Sequence, residues 1–284
     1  MKRVKNYMIL NNGEDIPTIG YGTWLIDQKI AKESCLKALK AGYRHIDSAQ
    51  AYGNEVGVGE AIRESGIARE EIYLTSKVAA EIKNYEEAKA SIEESLRKLN
   101  VGYIDLMLIH CPQPWNEYGS DKKYYKENIE VYKALEEFYH QGLIKAIGVS
   151  NFSIDDLKHL IPFIEDIPMV NQIPVHIEYT DIDLIKYCQE NNIVVEAYSP
   201  IAHGRILNHP EILKMSEKYH RSVAEICIRY TLQLNTVSLP KATSLEHIQT
   251  NLGAMDFEIS EEDMRFLLSL NTIEGKESPE YFLK

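Results

Sequence analysis

The chain has 284 residues, 44% of them hydrophobic, and carries 43 acidic against 31 basic side chains for a net charge of −12. That is enough apolar material for a large buried core, and the length is near that of one eight-stranded α/β barrel, although two ordinary domains would also fit. The acidic balance argues against nucleic-acid and anionic-membrane partners, which need a basic surface, while leaving room for one basic pocket around a phosphate.

Residues 1–10 are basic but lack the apolar stretch of a signal peptide, and no apolar run is long enough to span a bilayer. Residues 7–18 contain Asn12–Gly13 between short apolar runs. That hairpin signal predicts a plug over the N-terminal end of a barrel. Eight β-rich runs follow, at 19–23, 44–47, 72–77, 103–110, 144–150, 169–172, 193–198 and 236–239. Helical periodicity fills the gaps, as in 32–39, halted by Gly42, and in 85–99, with Ile92, Leu96 and Leu99 on one face. Gly42, Gly102 and Gly142 sit where helix C-caps are expected, and 260–270 reads as a last helix capped by Ser260 with Asp263 three residues on.

Successive strand ends lie about 20–40 residues apart, the length of one βα unit and the crossover that parallel strands require. Eight such units predict an α/β fold, a (β/α)8 TIM barrel with an N-terminal β-hairpin and a C-terminal extra helix, formed as a single domain over 1–284. The rival, an open sheet binding a dinucleotide, calls for GxGxxG after a strand. Gly57–Val58–Gly59 is the nearest approach, and Ile62 stands at the third glycine position. Cys35, Cys111, Cys188 and Cys227 are scattered with no CxxC pair, so no metal site is expected. They read as reduced, mostly buried, small hydrophobes, which fits a cytoplasmic location.

In barrel enzymes chemistry sits at the C-terminal ends of the strands. Those ends carry Asp47, Lys77 and His110, with Tyr52 in the loop just after Asp47. A free phenol, with a pKa near ~10, is a poor acid at neutral pH, and a neighbouring ammonium lowers that value. Asp47 can hold the Lys77 ammonium, and His110 can donate a hydrogen bond to a carbonyl oxygen. The set suits protonation of an oxyanion formed at a carbonyl carbon. Singly, each residue has a plainer reading: Asp47 as a helix cap, Lys77 as a solvated charge, Tyr52 as packing, His110 as a core histidine. Their placement on three successive strand ends favours the chemical one. Lys241, followed by Thr243 and Glu246 at capping-box spacing, reads as a phosphate site at a helix start, with an ordinary capped helix as the alternative. Trp24 and Trp115, the two tryptophans of the chain, both fall on the same rim; with Tyr52 and His110 they predict an aromatic, mostly apolar substrate cleft.

These residues resemble the aldo-keto reductase family almost end to end. The resemblance rests on residues 41–49 (AGYRHIDSA) with Tyr52–Gly53–Asn54–Glu55, on Ile147 to Phe152 (IGVSNF), on Val170–Asn171–Gln172, on Ala197–Tyr198–Ser199–Pro200 and on Leu239–Pro240–Lys241. It implies a monomeric (β/α)8 barrel that uses NADPH, or less often NADH, on a small-molecule carbonyl substrate. It implies a catalytic tetrad of Asp47, Tyr52, Lys77 and His110. By the same resemblance Ser150, Asn151 and Gln172 hold the nicotinamide carboxamide, Tyr198 stacks on the ring, Ser199 also meets the cofactor, and Thr23 and Asp47 lie near its ribose. Lys241, Ala242, Thr243, His247 and Asn251 fall on the adenosine end. Ala242 stands where many members carry serine, and His247 where an arginine usually grips the 2′-phosphate. A histidine is mostly neutral at pH 7, so a smaller preference for NADPH over NADH is expected; NADPH is favoured because Lys241 remains, with NADH or dual use as the rival. The short tail, 271–284, implies an open pocket for small or medium aldehydes and ketones. Two other functions compete: a barrel aldolase with Lys77 as Schiff-base nucleophile, and a non-catalytic cofactor-binding regulatory subunit.

Overall fold

A computed structural model describes residues 6–272. The antiparallel strands β1 (Tyr7–Ile9) and β2 (Asp15–Pro17) turn at Asn12–Gly13, where Gly13 has a φ of +89° that a Cβ would disfavour. The hairpin lies across the N-terminal ends of the barrel strands. Asn12 Nδ2 donates to the Lys145 carbonyl at 3.0 Å and Asn11 Nδ2 to that of Pro168 at 3.2 Å, while Ile16 is fully buried.

Strands and helices then alternate. They run β3 (Tyr21–Gly22), α1 (Gln28–Ala41), β4 (His45–Asp47), α2 (Glu55–Glu64), β5 (Tyr73–Val78), α3 (Tyr85–Leu99), β6 (Ile104–Ile109) and α4 (Tyr125–His140). The second half runs β7 (Ile144–Ser150), α5 (Ile154–Leu160), β8 (Val170–Pro174), α6 (Ile182–Glu190), β9 (Val194–Tyr198), α7 (Pro210–Tyr219), α8 (Val223–Gln233), β10 (Val237–Leu239), α9 (Leu245–Leu252) and α10 (Glu261–Ser269). Strands β3 to β10 pair in parallel in sequence order. Gly20 N donates to Ser238 O at 2.9 Å and Gly22 N to Pro240 O at 3.0 Å, which brings the first of these strands against the last. The (β/α)8 barrel is therefore nearly closed, and each β-run read from the sequence lands on its strand within two residues at either end.

Parallel strands covered by helices are buried on both faces, and Ile46, Leu74, Leu106, Ile147 and Val195 are all fully buried. The four cysteines are free and buried, and burial pushes the Cys35 and Cys111 thiols up to about 12. Gly57 and Gly59 lie inside α2, where they let helices approach: a Cβ on Gly59 would fall 2.0 Å from the Leu99 carbonyl oxygen, and one on Gly57 would fall 2.9 Å from Ala31 Cβ. That packing role accounts for the glycine pair without a dinucleotide.

The helix ends differ from expectation in detail. Gly42 caps α1 with a φ of +117°, and Gly142 closes α4 in the same way at +74°, its N–H on the Tyr139 carbonyl at 2.9 Å, but α3 ends on Asn100 at +49°, with Gly102 two residues beyond. Asparagine tolerates the left-handed region because its short polar side chain bonds locally. Helix α1 starts four residues earlier than its apolar pattern suggests, because the Asp27 carboxylate accepts from Lys29 N. Ser260 caps α10 as expected, accepting from Asp263 N at 3.2 Å. Among the described residues no helix is long and apolar enough to cross a membrane. The tail expected to leave the pocket open lies, from residue 273 on, outside the described residues.

Candidate active site

Side chains two apart on a strand share a face. His45 and Asp47 on β4, Thr75 and Lys77 on β5, and Glu196 and Tyr198 on β9 are therefore paired toward the barrel axis. His110 follows β6 directly, its N–H bonded to the Val78 carbonyl at 3.1 Å. Tyr52 closes a short turn, Gln50–Tyr52, that side chains hold from two sides. Gln50 Nε2 reaches the Ser91 carbonyl at 2.7 Å and Ser95 Oγ at 2.8 Å on α3. Buried Asn54 ties the turn to the carbonyls of Thr23 at 2.9 Å and Ile26 at 3.0 Å.

Lys77 is fully buried, and its ammonium donates to Asp47 Oδ1 at 2.7 Å, to the Ser48 carbonyl at 2.8 Å and to the Tyr52 hydroxyl at 3.4 Å. The His110 ring stands edge-on to Tyr52, with centroids 5.6 Å apart. Burial works against the Lys77 charge, but Asp47, Tyr52 and Glu196 more than offset it, and its pKa ends above the ordinary lysine value. Burial together with that ammonium holds His110 well below the usual imidazole range, so the ring is neutral at pH 7. The phenol departs from expectation. Burial raises the Tyr52 pKa, and although Lys77 pulls it down, the net shift is upward.

Above these groups opens a cavity of about 560 Å³ that is walled by Trp24 and Trp115. Trp115 packs perpendicular to His110 at 5.2 Å, and Trp24 meets His203 edge-on at 4.9 Å. One wall is a connected polar chain. Ser150 Oγ donates to the Gln172 carbonyl at 2.9 Å, Asn151 Nδ2 donates to Ser150 Oγ at 3.1 Å and to the His110 carbonyl at 3.0 Å, and the Tyr198 hydroxyl donates to Asn151 Oδ1 at 2.8 Å. Amides, a half-exposed tyrosine ring and, along the same cavity, the exposed Lys241 make a donor set that suits a nicotinamide nucleotide: neutral polar groups for an amide, an aromatic face for a ring, a cation for phosphate.

Asp47, Tyr52, His110, Trp24, Trp115, Ser150, Asn151, Gln172, Tyr198, Ser199 and Lys241 all line this cavity. Thr23 and Lys77 sit behind its surface, Thr23 donating from Oγ1 to the Asp47 carbonyl at 2.9 Å. Ala242, Thr243, His247 and Asn251 lie past β10, outside the lining. The capping box expected from Thr243 and Glu246 does not form. Helix α9 begins at Leu245, its cap is Ser244, and Ser244 Oγ accepts from His247 N at 3.2 Å. The free amides of a helix start are present all the same.

Three contributors escaped the sequence reading. His203 follows β9 in a loop with left-handed Ala202, His203 and Gly204, which no local motif announces. Buried Gln113 staples the loop that carries Trp115, donating to the carbonyls of Ser120 at 3.0 Å and Lys122 at 2.5 Å and accepting from Gly119 N at 2.9 Å. Glu196 shares the Gln172 amide with Asp47, each at 2.8 Å. Its signal was a single acid inside an apolar strand.

Known proteins match this chain in sequence and in fold. The aldo/keto reductase family model matches residues 18–271. A glyoxal reductase of Bacillus subtilis is 41% identical over 269 residues, covering 94% of each chain. The crystal structure of an aldo/keto reductase from Brucella melitensis superposes with a TM-score of 0.87 at 37% identity, covering 93% of this chain and 99% of that one. A Bombyx mori aldo-keto reductase in complex with NADP gives a TM-score of 0.84 at 30% identity, over 93% of this chain and 92% of that one.

Proposed function

This chain belongs to the aldo-keto reductase family, and from that premise we propose that it reduces aldehydes and ketones to alcohols with NADPH, using Tyr52 as the proton donor. One observation carries the reading: a fully buried Lys77 ammonium, 2.7 Å from Asp47 and 3.4 Å from the Tyr52 hydroxyl, at the floor of an aromatic cavity.

Bound there, a dihydronicotinamide supplies hydride to the carbonyl carbon. Ser150, Asn151 and Gln172 would hold its carboxamide, Tyr198 and Ser199 its ring side, and Thr23 and Asp47 the ribose. Lys241, Ala242, Thr243, His247 and Asn251 would take the adenosine end. As negative charge grows on the substrate oxygen, Tyr52 gives up its proton and the Lys77 ammonium stabilises the phenolate that remains, against the opposing effect of burial. Neutral His110 donates a hydrogen bond to that oxygen without competing as an acid. Asp47 holds the ammonium in place. The Schiff-base alternative fits poorly, because Lys77 is saturated by three acceptors and its pKa is raised, where a nucleophilic amine needs it lowered.

The walls suit small or medium uncharged carbonyls, and the name of the glyoxal reductase relative agrees with that class. NADPH is the favoured cofactor because Lys241 is present and a structural neighbour binds NADP; His247 in place of arginine predicts a modest preference. We read the chain as one domain acting as a monomer in the cytoplasm, with its thiols reduced. The test is oxidation of NADPH and of NADH against an aldehyde and ketone panel, with Tyr52→Phe as the control. The variant should lose about 10²-fold or more in kcat while still binding cofactor. Turnover near the wild-type rate would remove Tyr52 from the role of acid.

A further inference from the structure

Beneath Asp47 and Lys77 the barrel interior holds a second carboxyl that the reaction above does not use. Glu196 is fully buried on β9, opposite its register partner Gln172 on β8. Its Oε2 accepts from Gln172 Nε2 at 2.8 Å, the same amide nitrogen that donates to Asp47 Oδ1 at 2.8 Å. Its Oε1 has no hydrogen-bond donor among the described residues and lies 3.5 Å from His45 Nε2. That imidazole is itself fully buried, 3.0 Å from Thr75 Oγ1 and edge-on to Tyr73 at 5.0 Å.

The charges around Glu196 do not balance if it is ionised. The titratable groups facing it are His45 and Asp47 from β4 and Tyr73 and Lys77 from β5; β8 presents the neutral Gln172, and β10 presents Val237 at the paired position. There is one ammonium for two carboxyls, and it sits on Asp47 at 2.7 Å. A buried carboxyl without a cation keeps its proton. Protonated at Oε1, it can donate to His45 Nε2, which gives the orphaned oxygen a partner. Burial and the neighbouring Asp47 push Glu196 up to about 8, and burial holds His45 down at about 4, so near neutrality the shared proton belongs to the glutamate.

We propose that Glu196 is a positioning residue that stays a neutral acid beneath the Asp47–Lys77 pair, and that its ionisation, felt through Gln172 and Lys77, closes the alkaline side of the enzyme's active pH range. Once ionised, Glu196 pulls more strongly on the Gln172 amide, whose other N–H serves Asp47, and draws on the same ammonium. Both supports of the Tyr52 phenol then weaken together. No redox or bond-forming step is involved, only the loss of one proton.

This proposal rests on Tyr52 as proton donor, so its test has one arm that needs no turnover. Infrared titration of the wild-type protein should show a protonated-carboxyl band near neutral pH that disappears on alkaline titration and is absent from Glu196→Gln. In the second arm, the pH profiles of kcat/KM for NADPH-dependent carbonyl reduction are compared, each normalised to its own maximum. The alkaline limb of the wild type should fall from about pH 8, and that of Glu196→Gln should lie about one pH unit or more higher. A missing band, or an unmoved limb, overturns the proposal. A chain that reduces no carbonyl at any pH refutes the proposed function instead, and the infrared band still decides where the proton is. Should Glu196→Gln not fold, the midpoint of the wild-type band decides: loss near pH 8 supports the proposal, whereas loss near pH 6 assigns the band to buried Asp105, which is pushed up to about 6, and overturns it.

Discussion

Replacing Lys77 by Met should separate what the buried ion pair does for stability from what it does for catalysis. Met fills the space of the lysine stem but strips Asp47, itself only 4% exposed, of its cation at 2.7 Å. Asp47 keeps a single amide donor from Gln172, which it shares with Glu196. Removing one partner of a buried pair costs about 3–5 kcal/mol, because the other charge stays buried and uncompensated. Since about 1 kcal/mol moves Tm by roughly 2–4 °C at this chain size, the melting point should drop by about 10 °C. The double replacement Asp47→Asn with Lys77→Met removes both charges and should recover at least about 2 kcal/mol relative to the sum of the single variants. Activity should behave differently. Loss of the ammonium should cost about 10²–10⁴ in kcat, or roughly 3–5 kcal/mol of barrier, in the single and the double variant alike. Urea denaturation read by the fluorescence of Trp24 and Trp115, alongside NADPH oxidation, measures both quantities. A double variant no more stable than the sum of its parts would refute the pairing, and a Lys77→Met enzyme turning over normally would refute its role beside the phenol.

Gln113→Leu should free the loop that carries Trp115, since three hydrogen bonds worth about 0.5–1.5 kcal/mol each are lost. The expected outcome is a several-fold rise in KM for the carbonyl with cofactor affinity unchanged; an unaltered KM would separate the loop from the substrate. His247→Arg adds a permanent charge at an exposed position of α9. It should raise the ratio of kcat/KM with NADPH to that with NADH by about tenfold, through a charge-assisted contact to the 2′-phosphate. A constant ratio would place that phosphate elsewhere.

Much of this molecule is legible from local pattern. Strand and helix periods are properties of neighbouring residues, and α3 was readable as 85–99 at both ends because its apolar face and its boundaries are local. Asp47, Lys77 and His110 were visible as polar residues ending apolar strands, and parallel strands of one sheet bring such ends to one rim. The helix caps were less legible. A left-handed Asn100 and a cap at Ser244 rather than Thr243 turn on one residue of register, which composition does not resolve.

By itself, then, the order of residues determined the eight-unit alternation, the rim on which the polar strand ends gather, and the resemblance carried by its motifs. What tertiary structure alone decided is everything that depends on barrel closure. Gln172 bonds to Asp47 across 125 positions of sequence, and Glu196 meets His45 inside the barrel. The direction of the Tyr52 shift belongs to the same class, because burial is a property of the closed barrel and outweighs the one neighbour that sequence could name. Local pattern follows from backbone geometry a few residues long, whereas desolvation and cross-barrel contacts exist only once distant strands have excluded water between them.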